Sequence, residues 1–167
     1  MSEEKNDGYC AAVREEGKIF KPGMIVEDAL KFKNKYPITI AWRIKKHAEV
    51  VEKHIDCDEK IKYVFIAQNT ENPSQMFFTK VIVLTNKRLL LGQKRVIFGY
   101  SLVSVTPELY NDLKVHKGII WGTVTIDTLH ELVVLSHIAP EALDEIETNV
   151  NSIMLKQKRK LYGSDKK

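Results

Sequence analysis

Residues 81–92 read VIVLTNKRLLLG and constrain the fold more than any other stretch. Two apolar runs flank Thr85, Asn86 and Lys87, and so short a polar break between such runs reads as a tight reversal joining paired strands. A sheet is therefore the expected centre of the chain. Apolar runs at 81–84 and 132–135 end long before the roughly 20 residues that a bilayer span needs.

Either side of that centre, the hydrophobic period changes. From Met24 to Tyr36 the residues Ile25, Ala29, Phe32 and Tyr36 recur at helical spacing, with Glu27 and Asp28 early and Pro37 closing the segment. Ile44, Ala48, Val51 and Ile55 form a second stripe within 42–58, which needs a surface to cover: the helix before it, the sheet, or another copy. Strand-like runs follow at 61–67, 76–84, 88–92, 96–105, 109–116, 119–127 and 132–135, with Lys117 and Gly118 as a turn and Gly99 as a bulge or bend. Pro140 then stands at a helix start, and Leu143, Ile146, Val150, Ile153 and Met154 line one face of a helix reaching to about residue 160. Acids lie in its first half and bases at its end, matching the helix dipole.

The expected organisation is an arm at residues 1–21, a helical extension at 22–58, a domain at 59–160 and a basic tail at 161–167. The acidic first residues and the missing apolar segment after them argue against export, so a cytoplasmic location is expected. Cys10 and Cys57, with no paired cysteine motif, read as reduced thiols. A formal net charge of +4 is too mild to name a nucleic-acid or membrane partner by itself.

Three features in order resemble the bacterial pleckstrin-homology-like (PH-like) domains, specifically the YokE-like group: LTNKRLLL at 84–91, VHKGIIWG at 115–122 leading into VTID at 124–127, and the terminal helix. The resemblance spans roughly residues 59–155. It implies an α+β, mainly β fold: a seven-stranded partial barrel of two nearly orthogonal sheets, capped by the C-terminal helix and preceded here by helices. Ile120, Val124 and Ile126 share one strand face, and Gly122 among them allows a close approach or a bend.

The wider superfamily's phosphoinositide binders resemble one another in a basic pattern in the first strand-to-strand loop. Here that loop, residues 68–75, carries Glu71 and no Lys or Arg, so the clamp is not carried over. The remaining anionic-ligand candidates are Lys94, Arg95, Lys114, His116 and Lys117, should they converge on one sheet edge; the competing account is that they solvate strands and discourage edge pairing. Lys156, Lys158, Arg159 and Lys160 form a basic tail that dipole compensation also explains.

No catalytic residues, metal ligands or cofactor are expected. His47, His54 and Cys57 read as an ordinary helix surface, Ser136 and His137 lack a nucleophile context, and no glycine run opens a helix as a phosphate loop does. Trp42 and Trp121 read as core or interface anchors. The expected function is a non-enzymatic binding or scaffolding module that engages protein partners or its own copies. Peripheral attachment to anionic lipid is the alternative, and nucleic acid is disfavoured.

Overall fold

The computed structural model describes residues 20–69 and 78–163. Helices α1 (Met24–Lys35) and α2 (Ile44–Glu52) precede strands β1 (Ile61–Asn69), β2 (Thr79–Thr85), β3 (Leu89–Lys94), β4 (Tyr100–Val105), β5 (Tyr110–Lys117), β6 (Gly122–Thr128) and β7 (Leu132–Ile138). A 3-10 turn (Pro140–Ala142) leads into α3 (Leu143–Gly163). None of the described helices is long and apolar enough to cross a membrane.

The reversal at the centre of the sequence is the β2–β3 turn. Thr85 Oγ1 accepts from the N–H groups of Lys87 and Arg88, both at 3.1 Å, and Asn86 Oδ1 accepts from Lys60 N–H at 2.6 Å. The small polar side chains thus satisfy donors that a turn would otherwise leave open. On either side the strands are buried throughout, from Val81 to Leu84 and from Leu89 to Leu91.

All seven strands form one antiparallel hydrogen-bonded series, β4-β3-β2-β1-β7-β6-β5. Where two sheets were expected, the strands make one, continuous through the pairing of β1 with β7 at Gln68↔Ser136 and Asn69↔Leu135. Helix α3 buries Leu143, Ile146, Val150 and Met154, the stripe seen in the sequence. Gly122 lets it approach: a Cβ there would lie 2.4 Å from Leu143 Cδ1.

Helices α1 and α2 share this core, because Ile25, Ala29, Phe32, Ala48 and Val51 join one cluster with Phe65, Leu90 and Ile146. Arg88, just before β3, fixes the chain after α2: its guanidinium donates to Glu59 Oε1 at 2.6 Å and to His54 O at 3.0 Å, and the Glu59 side chain is fully buried.

Several expectations need correction. Helix α2 ends at Glu52, so Ile55 lies beyond it. Residues 96–99 and 119–121, read as the starts of strands, are hairpin tips outside β4 and β6. Cys57 is disulfide-bonded, not a reduced thiol. The expected arm lies outside the described residues through residue 19, as do residues 70–77 of the first strand-to-strand loop and 164–167 of the tail.

Candidate binding surface at the loop end of the sheet

The β3–β4 hairpin closes tightly. Lys94↔Tyr100 is its last ladder pair, and Arg95 N–H donates to Gly99 C=O at 3.1 Å one step further out. Gly99 has φ +76, a left-handed conformation that glycine adopts without steric cost and that three-residue hairpin loops use. Val96, Ile97 and Phe98 are thereby carried on the tip, 65%, 81% and 84% exposed.

Two histidines pin the base of this hairpin to α2. His47 Nδ1 accepts from Lys94 N–H at 2.8 Å. His54 Nδ1 lies 2.7 Å from Val50 O, which fixes its proton there, so Nε2 accepts from the Tyr100 hydroxyl at 3.1 Å. His47 is buried, and burial first, then the Arg43 charge, lowers its pKa from 6.5 to about 4 against a backbone hydrogen bond with Trp42. Its acceptor role requires that neutral form. The sequence placed both histidines on an ordinary helix surface; His47 is instead buried between α2 and the hairpin, and His54 lies beyond the end of α2.

The segment between α1 and α2 runs across the same end. Trp42 N–H donates to Thr79 Oγ1 at 2.8 Å, and Gln68 Nε2 donates to Ile40 O and Thr79 Oγ1 at 2.9 and 2.8 Å. This seats Trp42, 55% exposed, beside Arg43, His47, Lys94 and Val96 around one shallow pocket. On the opposite face of the hairpin, Gln93, Arg95 and the tip wall an open cleft of about 550 Å³, whose far side carries Glu131 and Val133. The period of two along β3 makes this division: Gly92 and Lys94 face α2, Gln93 and Arg95 the cleft.

Of the residues singled out in the sequence, Lys94 and Arg95 fall on this surface. Lys114, His116 and Lys117 lie on β5, at the far side of the sheet series from β3, so the two sets do not share an edge. On α3, Lys158 Nζ donates to Tyr110 O at 2.7 Å, while Lys156, Arg159 and Lys160 border a shallow groove with Leu155. Arg43, Ile97 and Phe98 escaped sequence reasoning, and Trp42 was read only as a core or interface anchor. The one signal available was three apolar residues bounded by KR and G, which also reads as strand. Among the described residues, no group of His, Cys, Asp or Glu is arranged to hold a metal ion.

Residues 55–152, more than half of the chain, match the family described as Bacterial PH domain. The chain belongs to the bacterial PH domain family. PH domains are generally binding or scaffolding modules, and the seven-stranded sheet with its C-terminal helix agrees with that fold. No curated protein matches the chain. The family match begins after α2, so Trp42 and Arg43 are contributed by residues outside it.

Proposed function

We propose that this bacterial PH domain is a non-enzymatic binding module, YokE-like by its motif order, that holds its target at the loop end of the sheet. The observation that supports this reading is the β3–β4 tip, where exposed Val96, Ile97 and Phe98 adjoin Lys94 and Arg95. Contiguous exposed apolar residues rimmed by charge are what interaction surfaces present. Lys94 and Arg95 are retained as anion contacts. Lys114, His116 and Lys117 are assigned to solvating the edge strand β5.

The proposed compartment is the cytoplasm. The Cys57 disulfide counts against it, since cytosolic thiols are generally kept reduced.

A photoreactive amino acid placed at Ile97 tests the reading in living cells, with Asp144 on α3 as the control position. Adducts to protein or lipid are expected from position 97 and not from 144. No adduct from 97, or equal adducts from both, overturns it.

A further inference from the structure

We infer that Val96, Ile97 and Phe98, with Trp42 beside them, insert into the interface of an anionic bilayer while Arg43, Lys94 and Arg95 hold its headgroups. The inference deepens the binding-module reading and rests on it. It differs from attachment by charge alone, because the apolar tip carries part of the binding.

The tip has the shape this requires. Three apolar side chains project beyond the last ladder pair, and the Arg95–Gly99 hydrogen bond closes the backbone behind them. A three-residue tip reaches only the roughly 5–10 Å depth at which interfacial segments sit, where exposed backbone groups still meet headgroups and water. His47 and His54 hold the base in place, so little ordering cost falls on insertion. Trp42 adds an amphipathic ring of the kind enriched at membrane–water boundaries.

The charges agree. Arg43, Lys45 and Lys46 crowd the start of α2, whose first turn has no acid, and Arg43 itself has φ +49. A helix dipole disfavours cations there, so helix stability does not explain them. Of these, Arg43 lies beside Lys94 and Val96, Arg95 flanks the tip on the cleft side, and Glu131 is the acid on the cleft's described wall. A two-fold contact with a second copy would set these cations against themselves. A bilayer supplies dispersed anions and needs no matching pocket for the tip.

The β5–β6 tip is the internal control. Ile119 and Ile120 there are exposed, but the partly exposed Trp121 is tied to the α1–α2 segment and to β7, its Nε1–H donating to Ile38 O at 3.2 Å and its ring 4.9 Å from His137.

The test uses the full chain with vesicles of equimolar phosphatidylglycerol and phosphatidylcholine, and with phosphatidylcholine alone. Co-sedimentation with the anionic vesicles is expected to fall about tenfold or more in Ile97→Asp and in Phe98→Asp, and to be unchanged in Ile119→Asp. Added salt should weaken binding without abolishing it, since screening acts on the cations and not on the tip. In a Trp121→Phe background, brominated lipid should quench Trp42 fluorescence. Absence of vesicle binding at low salt, wild-type binding by Ile97→Asp, or loss of all binding in salt overturns the inference. So does a dimer, seen by light scattering, that Ile97→Asp dissolves. If vesicles fail while position 97 still crosslinks to protein in cells, insertion is wrong and the binding module stands; if both fail, neither stands.

Discussion

His47 links the chemistry of one residue to the pose of the tip. Its folded pKa of about 4 lies below its ordinary 6.5, so protons bind the unfolded chain more readily than the folded one. The stability due to keeping His47 neutral is therefore complete above pH 6.5. It is lost as the pH falls from there to about 4, on the order of 2–3 kcal/mol in all. His47→Asn keeps an acceptor near the Nδ1 position without a titrating group. Denaturant unfolding between pH 7 and pH 4 should show a flatter profile for the variant than for the wild-type chain; parallel profiles would remove His47 as the cause. Carboxylates titrate in the lower part of that window in both proteins, so the difference between the two profiles isolates the histidine.

At the scale of elements, α2 lies on β3 so closely that Gly92 has no room to grow. A Cβ there would sit 2.3 Å from Val51 Cγ2 and 3.3 Å from His47 O, the first contact with a stiff β-branched side chain and the second with backbone. Gly92→Ala should therefore destabilise by about 1–3 kcal/mol through overpacking, despite alanine's lower conformational entropy cost. Thermal unfolding checks this, and an unchanged or raised Tm would show that α2 yields. The sequence pointed to Gly92 only as the end of a strand. It made legible whatever depends on period and turn chemistry: α1, the stripe of α2, the β2–β3 reversal and the buried face of α3. It failed at residues 96–99 and 119–121, because three apolar residues in a row look alike in a buried strand and on an exposed tip. Only the register of β3 with β4, and of β5 with β6, separates the two. Lys94 and Arg95 were legible as cations. The placing of Lys94 beside Arg43 and Trp42 was not, because it depends on how the α1–α2 segment crosses the end of the sheet.

For the whole molecule, the family match from 55 to 152 and the physical core have different limits. Ile25, Ala29 and Phe32 on α1, with Ala48 and Val51 on α2, are all buried against the sheet, and Met154 extends the core past the end of the match. The ties across the boundary are polar as well: Tyr36 donates to Glu145 Oε2 at 2.5 Å, and Ala139 N–H to Thr39 Oγ1 at 2.9 Å. A chain cut at residue 59 would expose the apolar surface that these helices cover, and burial of a single large apolar side chain is worth about 1.5–3 kcal/mol. Marginal stability of roughly 5–15 kcal/mol does not survive the loss of several. The full chain should therefore unfold in one transition, with tryptophan fluorescence and far-UV circular dichroism coincident in denaturant. Residues 59–167 alone should be unfolded or aggregated. Two separated transitions in the full chain, or a cooperatively folded fragment, would show that residues 22–58 are an appendage to the domain. On the one-unit account, the segment that seats Trp42 and Arg43 beside the β3–β4 hairpin is held by the same core as the sheet, and an added tag at the N-terminus must leave α1 in place to preserve it.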